Sequence, residues 1–289
     1  MLLIDESEVV KQADRLAARG ATVNEVLTCL RAGLSLDAFG LLLIGLPRGD
    51  LPALSKLLPR MASVETQRNF TGNDGETLLR QTLNFARALA YNYTALRGRS
   101  LSGARIMDYG CGYGRITRML YYFSDPEAIW AVDPWDLAID LCREAGMIGN
   151  LAQSDYLPTS LPAPEGHFDV MFAFSVFTHT SRNATGAALS ALRKHIAPDG
   201  LLAITIRPTE YWATNPDYAA KAKHYEAQHT TEGFAYVPHG RDTVEGEATY
   251  GDTSMTLDFI TRNYPEWRIA GVDWALADPY QRYVFLTPA

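Results

Sequence analysis

Arg105-Ile106-Met107-Asp108-Tyr109-Gly110-Cys111-Gly112-Tyr113-Gly114-Arg115 ends a short apolar strand in a carboxylate and then places three glycines at alternate positions. Without a Cβ, glycine takes positive φ and lets backbone N–H groups come close to a ligand that any side chain would hold off. A strand that runs into such a turn is a reception site for a nucleoside-bearing ligand at the edge of a parallel sheet. A dinucleotide fingerprint needs glycine at its first, third and sixth positions, so that a pyrophosphate rests on the following helix N-terminus. The sixth position here is Arg115. A Walker A phosphate loop is excluded because no Gly-Lys-Ser/Thr follows the turn.

Working outward, Ala128-Ile129-Trp130-Ala131-Val132 is a second apolar run, and it ends in Asp133, 25 residues after Asp108. A carboxylate at the end of a second strand can accept hydrogen bonds from the two adjacent hydroxyls of a ribose. Between the strands, residues 115–123 carry apolar side chains at 116, 119, 120 and 123, which predicts a helix. The segment therefore reads as strand, glycine loop, helix, strand and acid: one βαβ unit with a right-handed crossover. Phe168-Asp169-Val170-Met171-Phe172-Ala173-Phe174-Ser175 is the near-continuous apolar run expected of a central parallel strand. Residues 185–196 then read as an amphipathic helix, Ala197-Pro198-Asp199-Gly200 as a stop and turn, and residues 201–206 as a fifth strand. Residues 267–274 and 282–286 read as two terminal strands paired as an antiparallel hairpin.

The spacing D-x-G-x-G-x-G from Asp108 to Gly114 resembles the first motif of class I methyltransferases, which bind S-adenosylmethionine. Leu192-Arg193-Lys194-His195-Ile196-Ala197-Pro198-Asp199-Gly200-Leu201-Leu202 is similar to that family's L-x-x-x-L-x-P-G-G-x-L stretch, with Asp199 in place of the first glycine. The resemblance covers residues 68–207 and thins on both sides. It implies an α/β Rossmann-like fold with a seven-stranded sheet of order 3-2-1-4-5-7-6, its last strand antiparallel, helices on both faces and an N-terminal helical extension. It also implies transfer of a methyl group from S-adenosylmethionine, with S-adenosylhomocysteine as product. The longer string Asp108-Tyr109-Gly110-Cys111-Gly112-Tyr113-Gly114-Arg115-Ile116-Thr117-Arg118, together with Val132-Asp133-Pro134, Leu141-Cys142-Arg143-Glu144 and Phe174-Ser175-Val176-Phe177-Thr178-His179, resembles a bacterial group often associated with glycan or natural-product pathways. A small molecule or glycan, methylated at oxygen, is the acceptor this suggests.

Carried over residue by residue, the resemblance implies that Asp108 and the backbone at Gly110, Cys111 and Gly112 hold the methionine part. It gives Asp133 the ribose, has Pro134 or Trp135 flank the adenine, and has Asp155, within Gln153-Ser154-Asp155-Tyr156-Leu157-Pro158, accept from its amino group. Phe174 and Ser175 come near the sulfonium. Phe70, Thr71 and Arg80, before the first strand, are further candidates for the methionine end. For proton removal His179 follows the fourth strand and titrates near neutral pH, so it is a candidate base; its alternative role is a hydrogen bond to the loop backbone. Asp252 as a base and Tyr250 as a positioning hydroxyl are the next candidates. His224, His229 and His239 lack metal-ligand spacing and read as surface residues, so no metal is expected. Arg207 either meets an acidic acceptor or pairs with a surface carboxylate.

Composition sets the bounds. The 289 residues are 47% hydrophobic and carry a formal net charge of -7, enough to bury a full core and poorly matched to nucleic acid. Three dispersed cysteines fit reduced thiols in a cytoplasmic protein. The acidic start after Met1 speaks against a signal peptide, and the longest apolar run, Leu41-Leu42-Leu43-Ile44-Gly45-Leu46, is far short of the roughly 20 residues of a membrane span. Residues 1–68 read as short helices forming a cap, lid or dimerisation module, and residues 69–289 as the methyltransferase domain. Within it, residues 207–255 are polar and weakly periodic, which predicts a substrate loop or lid. Its aromatic residues Tyr211, Trp212, Tyr218, Tyr225, Phe234, Tyr236 and Tyr250 either form an acceptor platform or pack the loop down. Two other readings are a nicotinamide-dependent oxidoreductase or epimerase and a cofactor-binding subunit without turnover.

Overall fold

The computed structural model describes residues 6–240 and 243–289. Residues 1–5, on which the reading of no signal peptide partly rests, and residues 241–242 lie outside the described residues. The chain groups into two units, one running up to Ala90 with Ser100–Ala152, the other comprising Tyr91–Arg99 with Gln153–Ala289.

The first unit begins with α1 (Glu6–Ala18), α2 (Val23–Gly33), α3 (Leu36–Ile44), α4 (Leu54–Leu57) and α5 (Val64–Thr71), and holds most of α6 (Gly75–Arg97). Thr22 starts α2 with a reciprocal capping box: its side chain accepts the Glu25 N–H while the Glu25 carboxylate takes the Thr22 N–H at 2.7 Å. Ser35 caps α3 with its side chain alone, which accepts the Ala38 N–H. The apolar segment at residues 51–61 yields only the single turn of α4, because Leu58 is forced extended (φ -102°, ψ 152°) by the proline that follows it. Val26, Leu27 and Leu30 bury the inner face of α2. Arg31, on its last turn, donates to the Tyr121 and Ser124 carbonyls at 2.7 Å each and fixes the helix against the segment ahead of the second strand.

That segment departs from the expected helix. Thr117–Tyr122 is a 3-10 helix, with the Met119 N–H on Ile116 O and the Phe123 N–H on Leu120 O, both at 2.8 Å. The cause is Arg118, fully buried, whose guanidinium donates to the carbonyls of Gly114 (2.9 Å), Tyr113 (3.0 Å) and Arg60 (2.7 Å). A side chain that takes the glycine-loop carbonyls tightens the turn that follows. The unit is completed by β1 (Ile106–Tyr109), β2 (Ile129–Asp133), α7 (Asp136–Glu144) and β3 (Asn150–Gln153), with β1 parallel to β2 and Ile106 opposite Ile129.

The second unit holds β4 (Phe168–Ala173), α8 (Arg182–His195) and β5 (Ile196–Ile206), then the excursion, α11 (Leu257–Asn263), β8 (Trp267–Trp274) and β9 (Arg282–Pro288). Residues 197–200 do not stop the chain between α8 and β5 as expected. They form a bulge inside a continuous β5, because the parallel register with β4 jumps from Phe168 opposite Ile196 to Val170 opposite Leu201. Gly200 is required there, since a Cβ would stand 2.5 Å from the Ile196 side chain and 2.8 Å from the Phe168 carbonyl. β9 runs antiparallel to both β5 and β8. The seven-stranded sheet has the order β3-β2-β1-β4-β5-β9-β8, which is 3-2-1-4-5-7-6 when only its own strands are counted, as the resemblance implies.

The excursion is not an irregular loop. It contains α9 (Tyr211–Thr214), α10 (Ala222–Glu232) and a separate two-stranded antiparallel sheet of β6 (Phe234–Pro238) and β7 (Gly251–Met255). Trp212 is fully buried among Tyr211, Ala222 and Ala235, with Tyr218, Tyr225, Val237 and Tyr280 packed around them. Most of the aromatic residues read as a platform or as packing are therefore a small core. Among the described residues no helix is long and apolar enough to cross a membrane.

Candidate functional site

In the first unit the three glycines of the loop take φ of 78°, 55° and 75° at Gly110, Gly112 and Gly114. Gly114 has a second reason to lack a side chain, as a Cβ would lie 3.0 Å from Met147 and 3.2 Å from the Cys142 sulfur. The turn is held by β2: the Gly110 N–H donates to Val132 O at 2.7 Å and the Cys111 N–H to the same carbonyl at 3.2 Å. Asp133 continues the clamp. Its Oδ2 accepts the Gly112 N–H and its Oδ1 the Trp135 N–H, both at 2.9 Å. One lone pair remains on each oxygen, a geometry that can receive two neighbouring hydroxyls. Burial pushes the Asp133 carboxyl above its ordinary range, opposed by those two N–H groups. Asp108 is 2% exposed and accepts from Thr117 Oγ1 at 2.6 Å. Burial pushes it up to about 7, with the Thr117 bond acting against the shift and the Asp133 charge adding to it. A cationic ligand group near it would restore its charge. Phe70 from α5 lies over the turn, 3.4 Å from where a Gly112 Cβ would sit, and stacks on Trp135 with centroids 5.2 Å apart.

In the second unit a polar cluster forms around Asp252 on β7, which is 5% exposed. Arg207, just past β5, forms an ion pair with Asp252 Oδ1, donates to Thr178 O at 2.6 Å and lies 4.1 Å over the Tyr211 ring. Asp252 Oδ2 accepts from Tyr218 at 2.5 Å and from His239 Nε2 at 2.8 Å. Burial alone would push the Asp252 carboxyl up, but the Arg207 charge and the bonds from Tyr218 and His239 outweigh it and bring it down to about 2. An anion so well satisfied is a poor proton acceptor and a good anchor. His179 Nδ1 is 2.8 Å from Gly251 O, so it donates there, and its Nε2 then accepts from Arg207 at 3.1 Å. Burial lowers His179 to about 4, and Arg207 adds to that. Its ring stacks on Tyr250 at 5.1 Å and 4°. Both ring nitrogens are engaged within the loop, the alternative role weighed above.

The sequence model of a family described as a methyltransferase domain matches residues 106–200, which run from β1 into β5. Residues 106–200 thus carry a methyltransferase domain. Such domains take their methyl group from S-adenosylmethionine, and the D-x-G-x-G-x-G spacing, the acid at the end of β2 and the antiparallel β9 agree with that assignment. Magnesium protoporphyrin IX methyltransferase (ChlM) from Synechocystis PCC 6803 with bound SAH is similar in fold, with a TM-score of 0.50, 13% identity, and coverage of 78% of this chain and 94% of that one. Also similar are the DhpI-SAM-HEP complex (TM-score 0.46, 18% identity, 75% and 100% covered) and an S-adenosylmethionine-dependent methyltransferase from Clostridium acetobutylicum ATCC 824 (0.47, 11%, 78% and 96%). A search of curated protein sequences finds no significant match.

The structure gathers Gly110, Cys111, Gly112, Asp108, Asp133, Pro134 and Trp135 about the glycine turn, and His179, Tyr250 and Asp252 in the polar cluster. Asp155 is exposed beyond β3, as is Arg80 on α6, and Thr71 Oγ1 turns back to Gln67 O at 2.7 Å. Ser175, after β4, holds φ of 60°, unusual for a residue with a side chain, and its N–H donates to Thr205 Oγ1 at 2.7 Å. Two expectations are corrected. His229 is 8% exposed with Nδ1 2.8 Å from Ser254 Oγ, and His239 is a half-buried partner of Asp252, so neither is a plain surface residue; only His224 is exposed. Arg207 does pair with a carboxylate, but inside the protein, 8% exposed. Sequence reading missed Gln281, whose Nε2 donates to Ser175 Oγ at 3.0 Å; a lone glutamine between turns carries no signal. Among the described residues no group of three or more His, Cys, Asp or Glu side chains could hold a metal ion.

Proposed function

We propose that this methyltransferase binds S-adenosylmethionine on the glycine turn and moves its methyl group to a hydroxyl oxygen of a small molecule or glycan. The observation that carries the cofactor assignment is Asp133, clamped by the Gly112 and Trp135 N–H groups with a lone pair left on each oxygen for the ribose diol. The positive φ angles at Gly110 and Gly112 leave the turn without Cβ atoms on the ligand side, so the residues fit the cofactor. Trp135, stacked with Phe70, offers a flat apolar face for the adenine. Ionised Asp108 would attract the ligand's ammonium group, and Phe174 and Ser175, which follow β4, are assigned the sulfonium end. Asp155 is assigned the adenine amino group.

S-adenosylmethionine supplies a sulfonium-activated methyl carbon, so the chain's task is to align an acceptor and receive its proton. The excursion, with its tyrosines and the histidines of the polar cluster, is the part assigned to the acceptor. The net charge of -7 supports a small or neutral acceptor over nucleic acid. The test is incubation with labelled S-adenosylmethionine and three acceptor classes: phenols, free hexoses and small amines. Label in a phenol or hexose supports oxygen transfer. Label only in the amines overturns it, and tight binding of the cofactor with no transfer favours the non-catalytic subunit.

A further inference from the structure

The first unit brings together two cysteines that stand far apart in the sequence. Cys111 sits in the glycine turn and is 7% exposed, while Cys142 lies on α7 and is fully buried. Their sulfurs meet at one atom: Cys111 Sγ donates to Gly112 O at 3.5 Å and Cys142 Sγ to the same oxygen at 3.3 Å. The two thiols also lie within hydrogen-bonding reach of each other, and both are free. Cys142 Sγ is packed against the back of the turn, 3.2 Å from where a Gly114 Cβ would stand. Gly112 links this pair to the front of the turn, since its N–H donates to Asp133 Oδ2 at 2.9 Å. One residue thus carries the thiols on its carbonyl and the proposed ribose acid on its N–H. The Cys142 thiol and burial push the Cys111 thiol well above its ordinary range, so Cys111 is inert while the turn is closed. Its reaction waits on local opening.

Resting on the reading of the turn as the S-adenosylmethionine site, we propose that Cys111 and Cys142 form an oxidation site, which hydrogen peroxide converts to a disulfide that disables the turn for its cofactor. Cys111, the one with residual exposure, meets the oxidant first. Its sulfur attacks one peroxide oxygen, the O–O bond breaks, and the thiol proton leaves with the other oxygen as water, which makes a sulfenic acid. The Cys142 sulfur then attacks the Cys111 sulfur, the S–O bond breaks, and the hydroxyl leaves with the Cys142 proton as a second water. Two thiols and one peroxide become one disulfide and two waters. A disulfide bond of about 2.05 Å is shorter than any contact between hydrogen-bonded thiols, so its closure draws Cys111 toward α7. Both S–H donors are lost from Gly112 O, and the shift of Gly112 moves the N–H that orients Asp133. A bound cofactor, by holding the turn closed, slows the same reaction.

The test uses the full-length protein with hydrogen peroxide and needs no acceptor. Peptide mass spectrometry should find Cys111 linked to Cys142 with loss of two hydrogens, in the parent and in Cys29→Ser alike, and dithiothreitol should remove the link. Cys111 and Cys142 still open to alkylation after treatment, or Cys111 linked to Cys29, overturns the proposal. In Cys142→Ser the reaction should stop at a sulfenic acid on Cys111 that dimedone traps; absence of that adduct overturns the first step. Calorimetry of the cross-linked protein should show a Kd for S-adenosylmethionine weakened by about tenfold or more, restored by dithiothreitol. Equal affinity of the cross-linked and reduced forms overturns the link between the thiols and the cofactor. Saturating S-adenosylmethionine should slow cross-linking by about tenfold, and an unchanged rate overturns that link as well. Failure of the reduced protein to bind S-adenosylmethionine at all instead removes the cofactor reading and leaves the cross-link standing, so the two failures are told apart.

Discussion

The glycine turn and the Asp252 cluster are both buried polar sites, yet they answer burial in opposite ways. At the turn, burial dominates for Asp108: the Thr117 hydrogen bond and the Arg115 charge oppose it only in part, the Asp133 charge adds to it, and its carboxyl rises to about 7. In the cluster, Asp252 meets an arginine, a tyrosine and a histidine, so its charge is favoured despite burial and its carboxyl falls to about 2. The first site is short of positive charge. The second is already neutralised within the protein. A site that waits for a cation suits a sulfonium and ammonium ligand, whereas a satisfied anion suits the task of holding an imidazole in one orientation.

The largest effect that would break this comparison is loss of the excursion's core. Trp212→Ala removes a fully buried indole and its 2.8 Å bond to Ser254 Oγ, and is expected to cost about 3–5 kcal/mol in denaturant unfolding. Hydrogen exchange should then rise in residues 207–255. A loss below about 1 kcal/mol would mean that the cluster is not held by this packing. Next in size is Gly114→Ala, which combines a positive φ with a close approach to Met147 and Cys142 and is expected to cost about 1–3 kcal/mol. Its exchange signature should lie in the glycine turn and α7. Equal disturbance of the excursion would contradict the separate roles.

Smaller, but most specific to the comparison, is the pH response. Asp108 is raised, so the stability its neutral form contributes is fully present below the unfolded value of 3.8 and lost as pH rises through about 7. Asp252 is lowered, so its contribution is present above 3.8 and lost as pH falls toward about 2. His179, lowered to about 4, acts in the same sense as Asp252, with its loss running from 6.5 down to about 4. Hydrogen exchange on the ligand-free protein should therefore show the glycine turn loosening as pH rises from 3.8 to about 7, and the excursion loosening as pH falls from 6.5 to about 4. A common pH profile for both regions would contradict the assignment. Asp108→Asn should remove the alkaline loosening alone and raise Tm at about pH 8 by a few degrees.

The same contrast explains what could be read in the sequence. The glycine turn, its flanking strands and Asp133 lie within 29 consecutive residues, 105–133, and their signals are glycine spacing and apolar runs. The terminal strands were legible for a similar reason, an apolar run or alternation. The excursion was not, because β7 is Gly-Asp-Thr-Ser-Met and every residue of it is buried. Pattern reading treats such residues as solvated. Here they are satisfied inside: Asp252 by Arg207, Thr253 Oγ1 on Thr180 O at 2.7 Å, and Ser254 between Trp212 and His229. α10 escaped notice because it buries only Ala222 and His229. The misread 3-10 segment has the same origin in Arg118, a charge that the sequence places on a surface and the fold places on three carbonyls.

The central claim is that the glycine turn receives S-adenosylmethionine with Asp133 on its ribose, and calorimetric titration of that ligand into the parent protein and Asp133→Ala tests it most directly. Loss of two charge-assisted hydrogen bonds predicts a Kd weakened by more than about tenfold, with the far-ultraviolet circular dichroism of the two proteins superimposable. Equal affinity in both proteins, with the fold intact, would contradict the account.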